Sequence, residues 1–268
     1  MRVAAVVVTY HPNQSDLSKN IESFIDEVDA VLIWRNSKDP LDYLNRWREK
    51  IRFIGEEVNE YIAKPLNYAV AWCAENGYDY LLTMDQDSYW EDFQGFIASV
   101  KSHIDNSISI YAPNVNCQIP NVNTPIFDVE TVITSGSLIR VDIARIIGGF
   151  KESYKIYWVD GEFCFRSRFH GYRVVVLPSF CLRHQLGKQT RTKFGYYTSN
   201  YSPIVYYFMF RNMFWMHREY GSRAVSVRCI LYTAMYNIRG IILGESNKLL
   251  KLWSIFKGSF VGVLGKMQ

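Results

Sequence analysis

The 268-residue chain predicts an α/β fold: a mixed, mainly parallel sheet flanked by helices, with a basic, aromatic helical extension at its C-terminal end. Three observations predict it. Strand-like apolar runs alternate with helical spacings over roughly the first hundred residues, the signature of a parallel sheet with crossover helices. One run, Tyr80 to Met84, is apolar enough to be buried on both faces of a sheet, and it stops abruptly at Asp85-Gln86-Asp87. Charge is segregated: residues 1–182 carry 17 basic and 24 acidic side chains, net −7, whereas 183–268 carry 13 and 2, net +11. These place a first domain over 1–202 and the helical extension over 203–268.

The elements follow in order. Arg2 to Tyr10 is an apolar strand ending in turn residues, and Gln14 to Val28 repeats apolar side chains at helical spacing. Ala30 to Trp34 and Ile51 to Ile54 read as strands, with a helical Leu41 to Trp47 between them. Ala63 to Asn76 is a helix closed by Gly77. After the central strand come a helix over Trp90 to Val100, a strand over Ser107 to Pro113 and a polar loop over 114–128. Val129 to Thr134 is expected to return to the sheet, and Ser135-Gly136-Ser137 to form a tight bend or a close approach to a ligand. Val141 to Ile147 and Phe163 to His170 read as helices, Val174 to Leu177 as a strand, and the chain from Pro203 onward as aromatic-rich helices.

Composition narrows the class. Apolar residues make up 49% of the chain, enough for a full core. The five cysteines are odd in number and lack a CxxC pair, which predicts reduced thiols in a cytosolic setting and argues against a zinc site or disulfide frame. The N-terminus runs directly into a strand with no signal-peptide pattern, and no apolar stretch is long enough to span a bilayer. No nucleic-acid-binding motif accompanies the basic end, so an anionic membrane surface or a phosphorylated substrate is the expected partner. Basic residues interleaved with Tyr206, Tyr207, Phe214, Trp215 and Trp253 suit helices lying in a membrane interface. Packing on the core or on another subunit of a homo-oligomer is the alternative.

Chemistry concentrates at strand ends. In an open α/β sheet, ligands bind beyond the carboxyl ends of the strands, where Thr9, Tyr10, Asn36 and the two aspartates fall. The glycine fingerprint of dinucleotide-binding proteins is absent after Tyr10. Asp85 and Asp87 repel unless a cation lies between them, and a Mg2+ or Mn2+ ion shared with a diphosphate suits two carboxylates. The alternative is a polar turn capping the next helix. Asp160 and Glu162 precede another helix, where acids are common as caps; a carboxylate there could also deprotonate an attacking sugar hydroxyl. Asp160 is the candidate base, and Glu162 a residue that positions the acceptor or Arg166. His184 opens a basic segment with Lys188, Arg191 and Lys193 and could complete a metal or diphosphate site.

In this order the motifs resemble the family 2 glycosyltransferases of GT-A fold, and within them the bacterial rhamnosyltransferase-like branch, over roughly residues 1–220. Val6-Val-Val-Thr-Tyr10, Trp34-Arg-Asn-Ser37, Asn59 with Ala63 to Asn67, Leu82-Thr-Met-Asp-Gln-Asp-Ser88, Trp158-Val-Asp-Gly-Glu162 through Arg166, His184-x-Leu-Gly187 and Arg211-Asn212 carry the resemblance. Two positions depart from it: Arg35 replaces the usual Asp, and Tyr61 a common Gly. The resemblance implies that Asp85 and Asp87 bind Mg2+ or Mn2+, with His184 either a further metal ligand or a contact to the phosphates, and that Asp160 is the base of an inverting transfer. It also implies that Thr9, Tyr10, Asn36 and Asn67 line the nucleotide side, and that Asp85, Glu162, Arg166 and Arg191 contact donor or acceptor. The implied activity moves a sugar, L-rhamnose from dTDP-L-rhamnose, to a lipid-linked saccharide in O-antigen or capsule assembly, with the protein peripheral to the cytoplasmic face of the bacterial plasma membrane. A UDP-sugar donor, a sugar-nucleotidyltransferase and a non-enzymatic membrane-docking scaffold are the alternatives.

Overall fold

The computed structural model describes residues 1–120, 124–185, 190–191 and 195–266. They fall into two compact units: Met1–Glu152 with Asp160–Gln185, and Ser153–Val159 with Leu186–Gln268. The division therefore lies ahead of the 202/203 boundary drawn from sequence, and the short segment before Asp160 joins the second unit.

The first unit is the predicted mixed, mainly parallel sheet. Its strands are β1 (Val3–Thr9), β2 (Ala30–Arg35), β3 (Ile51–Ile54), β4 (Tyr80–Asp85), β5 (Tyr89–Trp90), β6 (Ile108–Val115), β7 (Phe127–Asp128), β8 (Ser137–Arg140) and β9 (Arg173–Arg183). The order across the sheet is β3-β2-β1-β4-β8-β6-β9-β5, with β7 also on β9. β1 to β4 run parallel, β8 is antiparallel to both β4 and β6, and β6 and β9 are parallel. Side chains alternate across a strand. One set from β1, β2 and β4 (Val7, Ile33, Leu82) packs with Leu17 and Ile21 of α1 (Gln14–Glu22) and Phe96 of α3 (Phe93–Ser102) in a single core. The other helices of this unit are α2 (Ala63–Glu75), α4 (Val141–Ile146) and, after its first residue, α5 (Val159–Phe169).

Three expectations change. The sheet regains a strand at Ser137–Arg140 rather than at 129–134, because Gly136, in the left-handed region at φ 77°, turns the chain back beside β4. The helix expected from Phe163 starts earlier, so Asp160 and Glu162 sit inside its first turn. Cys117 and Cys181 form a disulfide, contrary to the expectation of reduced thiols throughout. They are 64 residues apart, yet Asn114 and Val115 of β6 pair with Cys181 and Leu182 of β9, a proximity that cysteine spacing cannot reveal. Cys73 and Cys164 are free and buried, and Cys229 is free and exposed.

The second unit holds a two-stranded antiparallel ribbon, β10 (Thr190–Arg191) with β11 (Tyr197–Thr198), and three long helices, α6 (Pro203–Tyr220), α7 (Val227–Gly244) and α8 (Lys248–Leu264). α8 lies close on α6 because Gly258 and Gly262 face it. A Cβ on Gly258 would stand 2.3 Å from the Tyr207 carbonyl oxygen, and one on Gly262 2.9 Å from that of Arg211. A buried ion pair ties the unit together: Lys251 Nζ donates to Glu245 Oε2 at 2.8 Å and to Asn200 Oδ1 at 2.8 Å. Glu245 also accepts from Tyr206 Oη at 2.9 Å and from the Thr198 hydroxyl. Burial pushes the Glu245 carboxyl up, but these donors outweigh it and hold it below the usual carboxylate range.

Candidate functional site

β4 ends at Asp85, one residue past its last fully buried position, and the turn that follows is tightly held. Asn20 of α1, buried without solvent exposure, donates from Nδ2 to the carbonyls of Asp85 (2.8 Å) and Ser88 (2.6 Å), clamping both ends of Asp-Gln-Asp-Ser. Gln86 faces β1, accepting from the Tyr10 backbone N–H at 2.7 Å and donating to its carbonyl at 3.1 Å. With Gln86 turned to β1, ligand atoms of Asp85, Asp87 and His184 lie within 4.8 Å of one another. The capping alternative fails, because Asp92 is the residue that caps α3, accepting from the Gly95 N–H at 2.8 Å.

His184 follows β9 and is fixed from two sides. Its backbone N–H donates to Asn116 Oδ1 at 3.0 Å and its carbonyl accepts from Asn116 Nδ2 at 2.9 Å. Its ring Nδ1 is 2.7 Å from Ser88 Oγ, which accepts from Ser135 Oγ at 2.8 Å; Ser135 in turn accepts from the Asp85 N–H at 3.1 Å. This serine relay joins the imidazole to the first aspartate. A metal-bound imidazole is ordinarily oriented through its other ring nitrogen.

The electrostatics fit a cation. Burial, then the neighbouring Asp87 and Asp160 carboxylates, push Asp85 up to about 7, although part of its side chain still meets solvent. Burial also raises Asp87, against the pull of His184, and lowers the His184 imidazole, so at neutral pH the ring is the neutral form that ligates metals. Two carboxylates and one imidazole suit Mg2+ or Mn2+, with positions left for phosphate oxygens.

Asp160 completes the acidic cluster. Its Oδ1 accepts from the Gly161 N–H at 2.8 Å, and the Thr134 backbone also bonds to it. Burial raises its pKa, which makes it a stronger proton acceptor than a solvated aspartate. The residues just before it are strained: Lys155, Tyr157 and Trp158 all have positive φ. Within the second unit Asn212, fully buried on α6, supports this segment by donating to the carbonyls of Tyr154 (2.9 Å), Ile156 (3.2 Å) and Tyr157 (2.7 Å).

The remaining sequence candidates have other occupations. Thr9 is buried and its hydroxyl donates to the Trp34 carbonyl. Asn36 is buried, accepting from Trp34 Nε1 and the Glu60 N–H and donating to the Tyr61 carbonyl, so it shapes the loop before α2. Asn67 holds the turn after α4 through the Phe150 backbone. Glu162 has no exposed surface and is bidentate with Arg166, which also donates to the carbonyls of Ile147 and Gly149, and Lys151 Nζ stands 3.5 Å from Glu162 Oε1. Tyr10 is exposed beside His11. Arg191 is exposed on β10 in the second unit, and its neighbours Lys188 and Lys193, with the Leu186-Gly187 motif, lie outside the described residues. Arg35, at the departure from the family pattern, pairs with Glu57 at 2.5 Å. Sequence reasoning missed Asn20, Ser88, Asn116 and Ser135; the small-residue run around Ser135 was the one available signal.

A mixed sheet with an acid pair at the end of its central strand is the architecture of GT-A glycosyltransferases, and the solved structures it resembles have that fold. A mannosyltransferase, PcManGT, from Pyrobaculum calidifontis, in complex with GDP-Man and Mn2+, superposes with a TM-score of 0.58 at 14% identity, over 99% of this chain and 76% of that one. GalNAc-T7 with UDP, GalNAc and Mn2+ gives 0.56 at 10% identity over 68% of this chain, which spans only 43% of that protein. In sequence the chain is 26% identical over 273 aligned positions to the dTDP-rhamnosyl transferase RfbF of Shigella flexneri, covering 92% of this chain and 90% of that one. No protein-family profile matches. The fold is thus that of the GT-A glycosyltransferases, and the sequence is similar to a rhamnosyltransferase.

Proposed function

We propose that the protein is a metal-dependent, inverting glycosyltransferase that moves L-rhamnose from dTDP-L-rhamnose to a lipid-linked saccharide in bacterial surface-polysaccharide (O-antigen or capsule) assembly. The observation that carries it is the convergence of Asp85, Asp87 and His184 at the end of β4, with the Asp160 carboxylate close enough to raise the Asp85 pKa. The relative named as a dTDP-rhamnosyl transferase supports the choice of sugar and nucleotide. Asp85, Asp87 and His184 would hold Mg2+ or Mn2+, which when bound neutralises charge on the departing nucleotide diphosphate. Asp160 takes the proton of the acceptor hydroxyl as its oxygen attacks the anomeric carbon. The carbon–oxygen bond to the diphosphate breaks with its electron pair on the nucleotide, and the configuration inverts.

The acceptor reading rests on the second unit. No described helix is long and apolar enough to cross a membrane. Yet α7 and α8 expose Tyr232, Met235, Leu249, Trp253, Phe256 and Phe260, and the rings of the last three stack in series. An open apolar hollow of about 360 Å³ lies along α7, lined by Met235, Ile238, Arg239, Ile242 and Leu243. Glu219 and Glu245 are the only acids after residue 183, and Glu245 is buried. A large apolar face amid net positive charge suits an anionic bilayer carrying the acceptor.

The test is calorimetric titration with dTDP, UDP and GDP, with and without Mn2+. Metal-dependent binding of dTDP, lost in Asp87→Ala, is expected. Preference for UDP would move the donor to a UDP-sugar, and binding of no nucleotide would remove the donor site.

A further inference from the structure

The stretch 129–134, expected as a strand, instead walls an apolar pocket beside the candidate base, together with Ser135 of the bend that follows. The pocket, about 220 Å³, is lined by Pro113, Val115, Ile119, Val129, Val132 and Val176 among others. It reaches the acidic cluster by two routes. Thr134, bonded through its backbone to Asp160, stands between the lining residues Ile133 and Ser135, and the Ser135 hydroxyl accepts from the Asp85 N–H. The wall is built rather than incidental. Asn114 folds the 114–119 turn by donating to the Ile119 and Pro178 carbonyls and accepting from the Ile119 N–H, and the Cys117–Cys181 disulfide ties that turn to β9.

An apolar hollow next to the transfer centre is unsuited to a hexose carrying hydroxyls at every position, because a buried hydroxyl without a partner is costly. Two apolar groups are common on sugars: the methyl at C6 of a 6-deoxyhexose and the methyl of an acetamido group. The acetamido methyl brings an N–H and a carbonyl that need partners. Here the Asn114 amide is engaged in the turn, the Ser135 hydroxyl donates to Ser88, and Thr131 and Gln118 are exposed at the margin.

We propose that this pocket is the sugar-reading subsite of the donor site, receiving the C6 methyl of a 6-deoxyhexose and disfavouring a C6 hydroxymethyl. The proposal rests on the donor reading given above. It makes Val129, Val132 and Val176 specificity-determining residues, separate from the residues that hold the metal and take the proton.

dTDP-L-rhamnose and dTDP-L-mannose differ only in the C6 hydroxyl, and their binding in Mn2+ is compared by calorimetry with that of dTDP. The rhamnose donor is expected to bind about ten- to a hundredfold more tightly than the mannose donor, the range an apolar pocket allows for one added hydroxyl. Val132→Phe, at a partly exposed position, fills the hollow and should abolish the preference while leaving dTDP affinity unchanged; the near-isosteric Val132→Thr should reduce it. Equal affinities in the wild type, or a preference that survives Val132→Phe, would overturn the subsite with the nucleotide site intact. Failure of dTDP itself to bind would overturn the donor reading and the subsite with it. Tight binding of UDP-N-acetylglucosamine that is lost in Val132→Phe would reassign the pocket to an acetamido methyl.

Discussion

The two units bury their apolar residues in opposite ways. The first places the residues of β1, β2, β4 and β6 on both faces of a sheet under helices, and its long apolar strands are almost wholly inside. The second buries one side of its helices and leaves Leu231, Tyr232, Met235, Leu249, Trp253, Phe256 and Phe260 each more than half exposed. The charges differ in the same sense, since the acidic cluster lies in the first unit and the net +11 segment, apart from its first three residues, in the second. A surface shaped for water and one shaped for a partner can thus be told apart in a single chain. The proposed function gives chemistry to the first unit and membrane location to the second, and that proposed division of labour can be broken experimentally.

The largest effect should come from the first unit alone. Asp160→Asn keeps the size of the side chain and removes the proposed base. Transfer should fall by about 10²–10⁴-fold while metal-dependent donor binding is retained. Near wild-type turnover would sink the assignment of the base. The matching blow to the second unit is Glu245→Ala, which strands the buried Lys251 ammonium. Breaking one partner of a buried pair costs about 3–5 kcal/mol. Hydrogen exchange should therefore report loss of protection in α6, α7 and α8, with nucleotide binding by the first unit little changed. Loss of both together would mean that the units fold as one cooperative body.

A smaller effect tests location. Trp253→Ser, Phe256→Ser and Phe260→Ser remove the stacked ladder from an exposed face, so stability should change little. Affinity for vesicles containing anionic lipid should fall by about tenfold or more for each aromatic lost from the interface, the equivalent of roughly 1.5–3 kcal/mol per buried ring. Transfer to a water-soluble acceptor should be unaffected. Vesicle binding that survives the triple substitution would leave the face to another partner.

How far the sequence reveals this molecule depends on which physical signal a residue carries. Alternation and burial are periodic, so the strands at Val3–Thr9, Ala30–Arg35 and Tyr80–Asp85 were legible, as were the long helices after Pro203. The acid pair was legible because two carboxylates at a strand end need an explanation. Direction was not. Asn36, Asn67, Glu162 and Arg166 lie in the motifs that resemble the family, but their polar atoms turn inward to hold loops, and motif position does not say which way a side chain points. Asn20, Ser88 and Asn116 serve the site through contacts made 47 to 96 residues away, and a single small polar residue leaves no periodic trace. Cys117 and Cys181 were hidden for the same reason: strand pairing, not spacing, brings them together.

The subtlest test of the comparison is the pH dependence of stability, because only the first unit concentrates raised carboxylates. Asp85 titrates near 3.8 when solvated and near 7 in the fold. Below about pH 4 both states hold the proton and Asp85 contributes nothing; between about 4 and 7 the folded state alone holds it, so stability falls as pH rises. Asp87 and Asp160, also raised, act with the same sign. His184 is lowered and acts oppositely as pH rises toward its ordinary 6.5, so it offsets part of the slope. The metal-free protein should therefore melt at a higher temperature near pH 5 than near pH 7.5. Mn2+ competes with protons for these groups, so it should raise the melting temperature more at pH 7.5 than at pH 5. Asp85→Asn removes one of these titrations and should flatten the metal-free profile. An increase from Mn2+ of equal size at both pH values, unchanged in Asp85→Asn, would mean that the ion binds away from the end of β4.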